Sequence, residues 1–421
     1  MPNYKTRISL ATPTLHGDEQ KFVQEAFDRN WVSAMGFNCE GIEAEMKAFL
    51  ASGKYDSEPG NEGKEINVLS LSSGTAAIHM AVKLAGIKRG DLVFCSDMTF
   101  AATVNPISYE GGIQVFIDSE SDTWNMDPKA LEKAFKKYPK AKCVMLAHLY
   151  GTPSKLDEIR TLCEHYGVVL IEDAAESLSA TYKGKQTGTF GNLSAISFNG
   201  NKIITASCGG MLISKDANQR EKALNLATQA REKAPWYQHK EYGYNYRMSN
   251  VCAGIVRGQL RHLEQHRQKK EKIYRTYEEG LKGLPVKMNP YEKCSEPNFW
   301  LSCLTIDKEL VYSKGGAGKE WIYSNIANGR SVKDISHEEA RGIGPIELAA
   351  FLDAANIETR PIWKPMHLQP IFADCDYVTA GDNTDEDIFA RGLCLPSDVK
   401  MTDEEQSFVI EQIRKYFDMC R

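Results

Sequence analysis

Strands alternating with helices predict an α/β protein: a large domain built on a mainly parallel sheet, followed by a smaller C-terminal α+β domain. Two observations carry this. From Val68 onward short apolar strand patterns alternate with longer helical ones, a rhythm that requires parallel strands covered by helices on both faces. Near residue 250 the rhythm stops and a long charged helix begins. A chain of 421 residues is long enough for two or three domains. The expected division is 1–260, with the N-terminal segment in the large domain, and 261–421.

In order along the chain, residues 18–50 read as helix, turn and helix, with helices at 19–29 and 41–50. The stretch 55–65, rich in Gly, Pro, Glu and Ser, has the composition of a surface insertion. Strands are expected at 68–71, 92–95, 115–118, 143–147 and 168–171, with helices between them at 75–84, 101–110, 128–137 and 156–166. The charged helix spans 251–277. The smaller domain should have strands near 299–306 and 358–361 and helices at 344–355 and 403–419. The polar, lysine-rich region 312–342 specifies no element. Ligands of such sheets bind at the carboxyl ends of the strands, so the loops that follow them are where chemistry is sought.

Composition narrows the function. A net charge of −5 gives no general affinity for nucleic acid or an anionic membrane. No apolar run approaches the ~20 residues of a membrane span, and the first residues lack the apolar stretch of a signal peptide. Eleven cysteines without a Cys-x-x-Cys pair argue against a zinc site and a disulfide scaffold, and point to a reducing cytoplasm.

One lysine stands out. Lys202 lies in Ser197-Phe198-Asn199-Gly200-Asn201-Lys202-Ile203-Ile204-Thr205, about thirty residues after the apolar strand that runs into Glu172-Asp173-Ala174-Ala175-Glu176. A strand-end acid followed by a loop with one lysine is what pyridoxal 5'-phosphate (PLP) needs. The acid keeps the pyridine nitrogen protonated, and the amine forms a Schiff base with the aldehyde. Ser72-Ser73-Gly74-Thr75-Ala76-Ala77, between strand and helix, offers backbone amides for a phosphate; alone it is equally an ordinary helix cap. Phe100 would stack on the ring, though a lone aromatic is more often core. Asp173 should be desolvated and would find its partner in a pyridinium; the alternative is a turn-capping Asp. Glu176 would reach the phenolic oxygen or remain a solvated loop acid, and Ser197 would bind phosphate. Each is weak alone; their order is that of a fold-type I PLP enzyme of the aspartate aminotransferase type.

Other motifs fail. Gly315-Gly316-Ala317-Gly318-Lys319 lacks the leading glycine and trailing Ser or Thr of a P-loop, and no dinucleotide fingerprint is present. His262 and His266 lack the glutamate of a zinc protease and read as a solvated charged face. No metal site is expected.

Five runs together carry a family resemblance: Ser73-Gly74-Thr75-Ala76-Ala77, His148-Leu149-Tyr150-Gly151, Ile171-Glu172-Asp173-Ala174-Ala175-Glu176, Gly188-Thr189-Phe190-Gly191 and Gly243-Tyr244-Asn245-Tyr246-Arg247-Met248-Ser249-Asn250. With them the chain resembles, over nearly its whole length, the DegT/DnrJ/EryC1/StrS nucleotide-sugar aminotransferases. Trp236-Tyr237-Gln238-His239, Asn298-Phe299-Trp300-Leu301-Ser302, the Lys202 run and the segment from Ile357 to His367 look more narrowly like the C4 transaminases of the bacillosamine pathway.

The resemblance implies that Lys202 is the Schiff-base lysine and the proton carrier, that Asp173 pairs with the pyridine nitrogen, and that Gly74, Thr75 and Ser197 bind phosphate. It implies a homodimer in which Asn245 reaches the neighbouring subunit's cofactor. Substrate contacts would come from Asn30, Trp31, Val32, Ser33, Ala76, Lys364, Pro365, Met366 and His367. The implied substrates are glutamate and a UDP-keto-sugar. Thr205-Ala206-Ser207-Cys208-Gly209-Gly210 departs from the commoner Thr-Thr-Gly-Glu-Gly-Gly without removing a proposed catalytic group. Three alternatives stay open: a family member acting at C3 or on a dTDP or GDP sugar; a dehydratase, which would carry histidine in place of Lys202; and a PLP-binding regulatory protein without turnover.

Overall fold

Fifteen strands are laid down in chain order in the computed structural model, which describes residues 6–52, 66–313 and 343–420. The expected 55–65 insertion, Gly315 to Lys319, and nearly all of 312–342 lie outside those residues. The first nine strands are β1 (Asn67–Leu71), β2 (Leu92–Ser96), β3 (Ile113–Ile117), β4 (Cys143–Ala147), β5 (Val169–Asp173), the short β6 (Thr181–Tyr182) and β7 (Lys185–Gln186), β8 (Leu193–Ser197) and β9 (Gly210–Ser214). The remaining six are β10 (Val286–Met288), β11 (Ser295–Glu296), β12 (Ser302–Ile306), β13 (Arg360–Pro361), β14 (Asp376–Val378) and β15 (Gly392–Leu395).

Eight of these form the large sheet, in the order β1-β9-β8-β5-β4-β2-β3-β14. It is parallel except at β9, which runs antiparallel to both neighbours. Both faces are buried, so successive side chains of one strand enter different cores. Two helices, α1 (Asp18–Asp28) and α2 (Phe37–Ser52), precede the sheet. Val93, Cys95 and Met145 pack beneath the helices α3 (Gly74–Leu84) and α4 (Ala101–Tyr109), together with Ile78, Ala81, Val104 and Ile107. Phe94, Val144 and Leu146 face the opposite way, against α5 (Pro128–Lys137) and α6 (Leu156–Tyr166). The stripe Ala130, Leu131, Ala134 and Phe135 explains why α5 is a helix, and Asp127 caps it by accepting Lys129 N–H at 2.8 Å. Each fully buried Leu, Ile or Phe contributes about 1.5–3 kcal/mol, so both cores stabilise the large sheet strongly.

A second, antiparallel sheet, β10-β12-β15-β13, packs with helices Pro345–Ala354 and Asp403–Met419 around Tyr277, Leu304, Phe351, Leu393 and Ile413. The chain crosses residue 260 twice. Ile8 pairs with the backbone of Asn356 and Glu358 and is buried in this second core. In return, β14 joins the edge of the large sheet beside β3.

The expected 251–277 helix is two helices, Asn250–Leu260 and Leu263–Gly280. The first lies against the helix Asp18–Asp28 so closely that a β-carbon on Gly258 would fall 2.5 Å from Glu19 N. The second turns away at His262 (φ −106°, ψ 3°) to place Ile273 and Tyr277 in the second core. His266, expected on a solvated face, is buried. The strand expected from 299 begins at Ser302, because Phe299 takes φ 54° and Asn298 Oδ1 accepts Trp300 N–H. The strand expected at 358–361 shortens to Arg360–Pro361, since Glu358 is engaged by the N-terminal segment: its N–H donates to Ile8 O and its carboxylate accepts Leu10 N–H.

Candidate active site

Where β1, β2, β4, β5 and β8 end, their loops enclose a cavity of about 270 Å³. Its lining joins segments far apart in sequence, from Ser73 to Trp363, as the carboxyl edge of a parallel sheet does.

At one end lies the N-terminus of α3. Ser73 Oγ accepts Ala76 N–H at 3.0 Å, which leaves the first-turn amides of Gly74 and Thr75 for an anion. Two glycines make the approach possible. A β-carbon on Gly74 would sit 2.7 Å from Ser197 Cβ, and one on Gly210 would sit 2.4 Å from the carbonyl carbon of Ser73. The antiparallel β9 thus delivers Gly209 and Gly210 to the same edge as the parallel strands.

In the middle lies Asp173, the last residue of β5. Its Oδ2 accepts Thr103 Oγ1–H at 2.6 Å and its Oδ1 accepts Ala175 N–H at 3.0 Å. His148 lines the wall beside it. Nδ1 of that ring accepts Ser154 N–H, so its proton sits on Nε2 and points at Glu172, 2.9 Å away. Glu172 is fully buried and also accepts the amides of Gly188, Phe190 and Gly191. Burial pushes its pKa up, but the hydrogen bond from His148 and these amides outweigh it and leave the carboxyl below its ordinary value. The Gly188-Thr189-Phe190-Gly191 run is therefore a carboxylate cradle behind the cavity.

At the far end Lys202 Nζ lies 3.6 Å from Glu176 Oε1 and 4.2 Å from the centre of the Trp300 ring. Burial holds Glu176 above the usual carboxylate range, while the Lys202 charge and Tyr150 N–H, which donates to Oε2 at 2.8 Å, pull the other way. Phe100, half exposed, sits 5.5 Å from the Trp363 ring at the mouth.

Of the residues expected from the sequence, Gly74, Thr75, Phe100, Asp173, Glu176, Ser197 and Lys202 share this one cavity. The others lie elsewhere in the chain. Ala76 is buried in α3. Met366 N–H donates to Asp97 O, while His367 bonds the Asp97 carboxylate and stacks on Tyr377. Lys364 and Pro365 flank that anchor outside the cavity, and burial lowers the Lys364 ammonium. Asn245 is exposed, as are Asn30, Trp31, Val32 and Ser33. The 30–33 turn is fastened to Asn250, not to Asn245: Asn250 N–H donates to Ser33 O at 2.9 Å, and Asn250 Nδ2–H donates to Trp31 O at 2.8 Å.

Sequence reasoning missed His148, Trp300 and Trp363 as walls, although all three stand inside the runs that carried the resemblance. It also missed Cys208, whose thiol lies 3.3 Å from that of Cys252 and is pushed up to about 11 by burial and that neighbour.

The donor set fits PLP. Gly74, Thr75 and Ser197 would hold its phosphate in a cradle that a β-carbon would fill, Asp173 would face its ring nitrogen, and Lys202 would meet its aldehyde. No helix among the described residues is long and apolar enough to cross a membrane.

Comparison with known proteins places this geometry in a family. The profile of the DegT/DnrJ/EryC1/StrS aminotransferase family matches residues 13–314 and 334–414. The chain is 41% identical to EpsN of Bacillus subtilis, whose name assigns it as a pyridoxal phosphate-dependent aminotransferase, over 98% of this chain and 96% of the relative. It is 30% identical to the GDP-perosamine synthase of Vibrio cholerae, over 98% and 99% of the two chains. Among solved structures, the aminotransferase TlmJ from Streptoalloteichus hindustanus superposes with a TM-score of 0.81 at 23% identity, covering 98% of this chain and 99% of that one. Helicobacter pylori PseC gives 0.80 at 19% identity, covering 98% and 100%. The chain belongs to the DegT/DnrJ/EryC1/StrS family: it is a PLP-dependent aminotransferase of fold type I, with the aspartate aminotransferase-like architecture.

Proposed function

We propose that this family member moves the amine of glutamate onto C4 of a UDP-linked 4-keto-6-deoxy-N-acetylhexosamine, giving UDP-2-acetamido-4-amino-2,4,6-trideoxyglucose. The observation that carries the transamination is a partly buried amine, Lys202, facing Glu176 in a cavity that also holds Asp173 and a helix N-terminus. The choice of sugar rests on the narrower resemblance of the Lys202 run, of the Trp300 and Trp363 segments and of Trp236-Tyr237-Gln238-His239.

When bound, PLP supplies an electron sink that makes the proton on the amine-bearing carbon acidic enough to move. The chain does the rest. Asp173, fixed by Thr103 and Ala175, presents a carboxylate of one orientation to the ring nitrogen. Within each half-reaction Lys202 Nζ would both take and return a proton: from the glutamate α-carbon to the cofactor carbon in the first, and from the cofactor carbon to sugar C4 in the second. Glu176 lies within reach of that amine and steadies its charge. Trp300 and Trp363 exclude water from the proton's path.

A homodimer with shared sites is part of this reading. Asn245 and the 30–33 turn are both exposed and line no part of their own chain's cavity, where they are open to a second copy.

A second reading is favoured by one observation: a relative named for GDP-perosamine synthesis is 30% identical across nearly the whole chain. On that reading the substrate is a GDP-linked keto sugar. Single turnover of the amine-loaded enzyme against UDP-, GDP- and dTDP-linked keto sugars separates the two, with NMR of the product. Fast reaction with the UDP-4-keto-6-deoxy sugar and a C4 amine is expected; reaction only with the GDP sugar would replace the substrate.

A further inference from the structure

His266 enters the interior at the back of the lysine loop. Its Nδ1 lies 2.7 Å from the carbonyl oxygen of Ile203, the residue after Lys202. Its Nε2 lies 2.7 Å from Nε2 of His16, which precedes the first helix. His16 stacks on His262 with ring centres 3.8 Å apart, and His262 Nε2 is 2.9 Å from Asp18 Oδ2.

A carbonyl oxygen only accepts, so His266 Nδ1 carries a proton. In the uncharged ring Nε2 is then an acceptor, and His16 must donate to it through its own Nε2–H. One carbonyl therefore fixes both tautomers. A second proton on His266 would set two N–H donors face to face unless His16 changed tautomer.

We propose that His266, oriented by His16, is a positioning residue for Lys202: it holds the Ile203 carbonyl, fixes the direction in which the lysine amine leaves the loop, and ties that placement to the protonation of the histidine pair. This rests on Lys202 being the acting amine.

The rest of the loop is anchored by groups of other kinds. Trp300 Nε1–H donates to Asn201 O at 2.7 Å, and Gln259 Oε1 accepts Thr205 N–H at 3.3 Å. Lys270 holds Trp300 in turn, donating to its carbonyl at 2.9 Å and to Ser397 O at 2.8 Å. The titratable and charged neighbours of the pair are His262 and Lys270 on the same helix, Asp18 and Glu19 on the N-terminal helix, Asp398 after β15, and Lys202 itself. Burial lowers His266, and His16, Lys270 and His262 add to it against the Ile203 hydrogen bond. Burial and His262 lower His16 against Glu19 and Asp18. Both shifts favour the uncharged pair, the form that the Ile203 carbonyl and the two Nε2 atoms require.

The test uses holoenzyme carrying His266→Ala, His266→Asn or His16→Phe. The readouts are the pH titration of the bound cofactor's absorbance and the kcat and KM of the glutamate half-reaction. His266→Ala is expected to shift the titration midpoint and lower kcat roughly ten- to hundred-fold with little change in KM, the scale of a small misplacement of a reacting group. His266→Asn, whose amide N–H can still reach Ile203 O, should recover most of the rate but lose the acid inflection. His16→Phe keeps the stacking, loses the donor, and should shift the midpoint in the same direction; this variant decides the matter if His266→Ala does not fold. A wild-type titration and kcat in His16→Phe, or no recovery in a folded His266→Asn, would overturn the proposal. Borohydride labelling of wild-type enzyme at a residue other than Lys202 would instead remove the premise, and is read separately.

Discussion

Glu172 neighbours the acid proposed to hold the cofactor, yet it points the other way, into a nest of three amides and the His148 ring. Its work is to lock the wall on which Asp173 stands. Because its pKa in the folded state is depressed, its stabilising contribution is present above its unfolded value, near ~4.3, and is lost as pH falls through the lower folded value. Glu172→Gln keeps the shape but turns an amide toward backbone donors. It should cost about 3 kcal/mol, the scale of breaking a buried pair from one side. Melting curves over pH check this: a lower Tm at neutral pH and a weaker acid dependence than wild type are expected. An unchanged Tm would show that the nest carries no stability.

At the scale of elements, the strands at 68–71, 92–95, 115–118, 143–147 and 168–171 were legible because each is a short apolar run bounded by turn residues, whereas β8, β9, β14 and β15 went unread. The site was legible for a related reason. Asp173 and Ser197 end their strands and Gly74 and Lys202 lie in the segments just after, and such positions face ligands whatever the packing. What the sequence hid has a common physical cause. The stretch from Asn250 to Gly280 has no Gly or Pro at its break, so its periodicity reads straight through. The turn at His262 is imposed by two different partners, the N-terminal helix on one side and the second core on the other. His266 looked solvated for the same reason, since its burial depends on where that second helix points. The close contact at Gly258 gives a test. Alanine there gains about 1 kcal/mol of helix propensity but forces the backbone of Glu19 to move, at a cost of about 1–3 kcal/mol. Gly258→Ala is expected to lower Tm, and a higher Tm would mean that the two helices can separate freely.

Across the whole molecule, two cores share one chain whose N-terminal strand segment and β14 each cross to the other's side. Such crossing ties the Trp363 wall, which precedes β14, to the sheet that carries Lys202. The dimer reading predicts complementation. Lys202→Ala and Asn245→Ala enzymes, each weak alone, should regain activity when mixed and allowed to exchange subunits, because one of the two hybrid sites is then intact. Additive residual rates after demonstrated exchange would mean that each protomer completes its own site, and Asn245 would lose its proposed role.

The central claim is that Lys202, between Glu176 and Trp300, is the amine that carries the cofactor. Borohydride reduction of the PLP-loaded enzyme followed by peptide mass spectrometry tests it most directly. A single reduced cofactor adduct is expected on the peptide containing Lys202, absent from Lys202→Ala. An adduct on another lysine, the buried Lys270 above all, or full retention of the label in Lys202→Ala, would contradict it.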